Sequence, residues 1–140
     1  MDRCLNLLGL AKKAGSLEIG EECVSASVAR VRARCILSAS DASDGSKRKA
    51  GFMAEDASVP HVVLPYTKQE LSLAVGRGAP GVLAITDTGL AASFTAALSE
   101  AYEGYGEAAE RMALKKQRAQ ERKAAAGRGG RPKRSGGKGR

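Results

Sequence analysis

A chain of 140 residues, 43% of them hydrophobic and 27% charged, has room for one globular unit plus a tail, and a core of about 100 residues buries roughly two-thirds of its unfolded surface. The formal charge of +8 is uneven: residues 1–102 carry 11 Lys or Arg against 11 Asp or Glu, and residues 103–140 carry 12 against 4. Such a segmental excess points to a polyanion, nucleic acid before an anionic membrane surface, while a single histidine and three cysteines in no CxxC pair argue against a metal site and for reduced, buried thiols.

In chain order, Cys4, Leu7, Leu8 and Ala11 recur at steps of three and four, the stripe of an amphipathic helix over Arg3 to Lys13 that stops at Gly15. The apolar run Leu5 to Ala11 inside it is too short to span a membrane and has no cleavage pattern after it, so a cytoplasmic protein is expected. Leu17 to Ile19 fits a short strand. Gly20 then opens a second helix with Val24, Val28 and Val31 on one face and Glu21 and Glu22 in its first turn, where carboxylates suit the helix dipole.

Cys35 to Leu37 is a short buried, parallel-type strand running into the polar loop Ser38 to Asp41. A third helix starts near Ser43 or Asp44, carries Lys47, Arg48 and Lys49 early and Phe52, Met53 and Ala57 later, and is limited by Pro60. His61 to Leu64 is the next strand, Thr67 the N-cap of a short helix that stops in the loop Gly76 to Pro80, Val82 to Ile85 another strand, and Leu90 to Tyr102 a closing helix. Alternating helices and short apolar strands make an α/β fold, a three-layer α/β/α sandwich with a small mixed sheet. Residues 103–140 form a basic tail: Glu107 to Ala126 has helix propensity but little apolar face, so packing should add little to it, and residues 127–140, with six glycines and six Lys or Arg, are expected to be disordered.

Three stretches carry a resemblance: Leu7 to Gly15; Gly20-Glu21-Glu22 before a helix followed by Cys35 to Asp41; and Val59-Pro60 through Thr67-Lys68 and Leu71 to Val75-Gly76. In order and spacing they resemble the kink-turn-binding ribosomal protein family of the L-seven-Ae type, in its bacterial YlxQ-like branch, over about residues 4–102. The resemblance implies a noncatalytic protein that meets structured RNA, ribosomal RNA above all, at an edge built from Gly20, Glu21, Glu22 and Cys23 together with Arg77, Gly78, Ala79 and Pro80. It also implies a backbone contact from Arg30. The family's Gly-x-Asn-Glu start, with a Lys one turn on, stands here as Gly20, Glu21, Glu22, Cys23 and Ala26, which replaces an amide, an acceptor and a cation.

The residues themselves allow bland readings beside these roles. Gly20 suits a close approach of backbone to ribose or base, and equally a plain helix start. Glu22 suits hydrogen bonds from guanine, and equally the helix dipole. Lys12, Lys13 and Lys68 suit phosphate contacts or plain solvation, and the loop at Arg77 suits an RNA wedge or a simple connection. Phosphate-loop and GxSxG signatures do not occur, no GxGxxG follows a strand, and loop capping accounts for Asp41 and Asp87. A monomer without cofactor is expected, with the ribosome or transcription machinery as a further partner; a protein-interaction adaptor or assembly factor of that machinery is the competing reading.

Overall fold

The computed structural model describes residues 2–76 and 78–128 of the chain; of residues 127–140, expected to be disordered, 127 and 128 end a helix instead, and the rest, with Arg77, lie outside the described residues. Helix α1 (Arg3–Lys13) starts because Asp2 Oδ1 accepts the Leu5 N–H at 2.9 Å, and it ends at Gly15, whose φ of 73° suits a residue without Cβ. Its buried side chains are Cys4, Leu5, Leu8 and Ala11, whereas Leu7 of the expected stripe is only partly buried. Strand β1 (Leu17–Ile19) follows, then α2 (Glu21–Ala29).

Helix α2 is shorter than its apolar pattern suggests. Val24 is buried and Val28 packs beside it, but Val31 lies beyond the helix end, 75% exposed with φ 57°, so the third valine of the stripe is solvated. Strand β2 (Cys35–Ser38) leads into α3 (Asp44–Ala57), whose Ser46 N–H is capped by Ser43 Oγ at 3.0 Å. Phe52 of α3 is 60% exposed.

Strand β3 (His61–Val63) precedes α4 (Lys68–Val75), which begins in a reciprocal box: Thr67 Oγ1 accepts the Glu70 N–H at 3.2 Å and Glu70 Oε1 accepts the Thr67 N–H at 2.9 Å. Strand β4 (Val82–Ile85) and α5 (Thr88–Ala101) follow, the latter capped by Asp87 Oδ2 on the Leu90 N–H at 2.8 Å.

The sheet order is β1-β4-β2-β3. The buried run of β2 is parallel to β3, as its composition suggests, but antiparallel to β4, and β4 is antiparallel to β1 as well, so the sheet is mixed. Alternation along the strands divides the core between two faces. Cys35, Leu37, Leu83 and Ile85 face α1, α4 and α5, while Ile36, Val82 and Ala84 face Val24 of α2 and Ala50 and Ala54 of α3. This is a three-layer α/β/α sandwich.

Helix α6 (Gly106–Arg128) corrects the expectation that the tail helix would gain little from packing. It folds back on α5 through Gly104, at φ 96°, and sinks Met112, fully buried, into the larger half of the core beside Tyr105 and Ala108. The Tyr105 hydroxyl donates to Val63 O at 2.7 Å and Lys115 Nζ to Ser58 O at 2.6 Å, so the helix is tied to the rest at two further points. Of the three thiols, Cys4 and Cys35 are buried and Cys23 is exposed; burial pushes the Cys35 thiol up to about 12, which leaves it an inert apolar group.

Candidate nucleic-acid interface

Gly20 takes φ 94° and ψ 156°, a region essentially closed to residues with a side chain. Its N–H donates to Val82 O at 2.9 Å, which ties the start of α2 to the start of β4, and its carbonyl accepts the Val24 N–H at 3.0 Å. No side chain caps α2, so the N–H groups of its first turn point outward with the positive end of the helix dipole.

The same corner receives two more helix starts. A groove of about 240 Å³ is bounded by Gly20 and Glu21, by Ser43 and Ser46 at the start of α3, by Lys68 at the start of α4, and by Ala79 and Gly81 before β4. Asp41 Oδ1 accepts the Lys68 N–H at 2.8 Å and so pins the start of α4 to the loop after β2. Lys47 Nζ donates to Ser40 O at 2.9 Å and steadies that loop. The starts of α2, α3 and α4 thus meet at one small groove that the Lys68 side chain lines, and since Ser43 and Thr67 cap α3 and α4, the open first turn of α2 is what this corner offers an anion such as a phosphate.

Glu21 carries a negative charge at this corner, but α3 holds it: Ser46 Oγ donates to Oε2 at 3.1 Å and Lys49 Nζ lies 3.5 Å from Oε1. The carboxylate is therefore turned toward α3 and partly neutralised. Glu22 and Cys23 are exposed on the next positions of α2.

No family model matches the chain. Over 89 residues it is 33% identical to the RNA-binding protein YlxQ of Enterococcus faecium, a match that covers 64% of this chain and 84% of that protein. The chain belongs to the YlxQ family. Among solved structures this YlxQ-family chain is similar to a Bacillus halodurans protein of unknown function, with a TM-score of 0.66 and 28% identity over 71% of this chain and 99% of that one. A 15.5 kDa RNA-binding protein of Giardia lamblia shares the fold at a TM-score of 0.52 and 19% identity, over 79% of this chain and 82% of that one.

Within the YlxQ-type fold the residues singled out in the sequence fall into three places. Gly20, Glu21, Lys68 and Ala79 meet at the groove, with Glu22 and Cys23 beside it on α2 and Gly78 exposed in the adjoining loop. Pro80 is buried, so it supports that loop from beneath, and Arg77 lies outside the described residues. Lys12 and Lys13 line a different groove, between α1 and the end of α4, where Lys12 Nζ stands 3.8 Å from the position a Cβ would take at Gly76. Gly76 borders this second groove, and Ala79 and Gly81 border the first. Arg30 is set apart: it caps the far end of α2, which at 1.5 Å per residue is roughly 13 Å from Gly20.

Sequence reasoning missed Ser43, Ser46 and Lys49 as members of the corner. Ser43 was visible as a helix start and Lys49 as part of a basic run, but the approach of Ser46 and Lys49 to Glu21 depends on how α2 and α3 pack side by side on the sheet.

Proposed function

We propose that this chain is a noncatalytic RNA-binding protein whose groove at Gly20 recognises structured RNA of the kink-turn kind, with ribosomal RNA the expected source. The observation that carries this reading is the convergence of the starts of α2, α3 and α4 with Lys68 on one groove, in a chain whose E. faecium relative is named an RNA-binding protein. The bare backbone at Gly20 admits a sugar–phosphate closely, and Lys68 supplies charge without choosing a base.

Selectivity is left to the residues beside the groove. In this reading Glu22, exposed on α2, accepts from guanine N1 and N2 groups, and the exposed Gly78 and Ala79 serve as a small-residue ledge under an extruded nucleotide. Cys23 and Ala26 supply neither the acceptor nor the cation of the wider family, so the contact set is leaner and shape weighs more in recognition than base-edge hydrogen bonds.

Gel-shift titrations of the full chain against a kink-turn RNA, a plain duplex and a single strand, each at several salt concentrations, test the proposal. The kink-turn RNA should bind at least tenfold more tightly than the other two at moderate salt. Equal binding of all three would reject shape recognition and leave only charge attraction. Replacing Glu22 by Asn and Ala26 by Lys in one variant should raise kink-turn affinity further, because it restores an amide and a cation to the contact surface.

A further inference from the structure

A second surface lies at the opposite end of the sheet. The start of β4 meets Gly20 through the Val82 carbonyl, whereas its end meets Arg34, whose N–H donates to Ile85 O at 2.8 Å. Four residues of strand, roughly 10 Å, therefore separate the groove already described from the layer that contains Arg34.

At that far end α6 lies against the starts of β2 and α5 and encloses two adjoining grooves of about 690 and 470 Å³ that share Arg34, Thr88, Ala119 and Arg122. Lys115 and Arg118 complete one, Lys116 and Lys123 the other. Six cations thus face one carboxylate, Asp87, and that carboxylate already accepts the Leu90 N–H at 2.8 Å as the cap of α5. Neither of the two ion pairs found among the described residues involves any of the six.

The cluster is held in place. Met112 anchors α6 one turn earlier, and Lys115 is fastened by its bond to Ser58 O. Burial, and then the nearby charges of Arg111, Arg34 and Arg118, lower the pKa of Lys115, so this group of cations is crowded and uncompensated. Along α6 the cations at 115, 118 and 122 rise by about 4.5 to 6 Å per step, and Ala119 leaves a small-residue floor between them. A rigid row of regularly spaced cations over such a floor complements the phosphates of a nucleic-acid strand.

We infer that Arg34 and the inner face of α6 form a second RNA-binding surface, one that grips the phosphodiester backbone of a separate segment of the bound RNA at the far end of the sheet. Arg30, at the exit of α2, and Arg32 lie on the segment that leads into this end, which gives Arg30 a place outside the Gly20 groove. The protein then joins two RNA segments through one rigid body, with sequence-independent grip at one end and shape at the other. This inference rests on RNA being the partner, and it is independent of which RNA shape the Gly20 groove accepts.

The test uses the full chain, a kink-turn RNA with one stem lengthened by a helical turn, and the triple variant Arg34→Gln, Arg118→Gln, Arg122→Gln. The slope of log affinity against log salt should shrink by about two to three, and affinity at low salt should fall tenfold or more, because each lost phosphate contact removes just under one unit of slope. Circular dichroism should show unchanged helix content, and Arg118→Lys with Arg122→Lys should retain the wild-type slope. A photo-crosslinker at Gln120 in cells should label RNA.

An unchanged slope in a folded triple variant, while Lys68→Gln still weakens binding, would overturn this inference and leave the Gly20 reading intact. Crosslinks from Gln120 to protein alone would overturn it as well. A wild-type chain that binds none of these RNAs would overturn both readings together.

Discussion

Gly20 and Val31 hold positive φ angles for opposite reasons, and together they test how backbone strain is distributed. At Gly20, φ 94° with ψ 156° suits only a residue without Cβ, although the space around it is open. Gly20→Ala should therefore lower stability by about 1–3 kcal/mol through strain alone, read as a drop in the urea midpoint with unchanged m-value. Val31 is a β-branched residue at φ 57°, exposed and free of packing demands, so Val31→Asn should raise stability by about 1 kcal/mol. His61 sets a pH response: burial lowers its pKa below 6.5, and Ser38 Oγ lies 2.7 Å from its Nε2. As pH falls through 6.5 the unfolded chain takes up a proton that the native ring resists, so stability declines until the native ring itself titrates. Thermal midpoints measured from pH 7.5 to 5.5 should show this decline, and His61→Asn should flatten it.

At the scale of elements, α6 is the informative one. Met112→Ala should cost about 2–5 kcal/mol, because it opens a cavity where α6 meets the core. A chain cut after Tyr102 should lose far more stability than one cut after Arg128, and calorimetry of the two would show it. This helix was poorly legible in the sequence: its core contacts, Ala108 and Met112 with Tyr105 just before them, are confined to its start, and the charged residues after them dilute the apolar period. Helix α1 was legible from its period, Cys4, Leu8 and Ala11 ahead of the stop at Gly15, and helix α4 because period and cap agree, in Leu71 and Val75 behind Thr67. The groove was legible only in parts. Gly20, Lys68 and Ala79 could be singled out one by one, but their meeting depends on β4 lying beside β1, a neighbourhood no local pattern encodes.

At the scale of the molecule, charge separates shape from grip. Residues 1–102 are balanced at 11 cations against 11 carboxylates, so recognition at Gly20 should depend weakly on salt. Residues 103–140, with 12 against 4, should carry most of the salt dependence. Replacing the six Lys and Arg of residues 127–140 by Ser should lower affinity at low salt and reduce the salt slope while preserving the preference for a kinked RNA over a duplex. Filter-binding titrations over a salt series would show whether preference and slope separate in this way.

The strand order has a further consequence for how the molecule comes into being. Because β4 stands between β1 and β2, each of those earlier strands waits for a partner made later in the chain, and the antiparallel pairing of Leu17 with Ile85 links residues 68 positions apart. During synthesis, at roughly 5–20 residues per second, the nascent N-terminal half therefore spends several seconds with unpaired strand edges, and Met112 can seal the core only after that. The folded state is completed late, first by β4 and then by Met112, so the emerging chain should be most vulnerable to proteases and aggregation before β4 leaves the ribosomal tunnel.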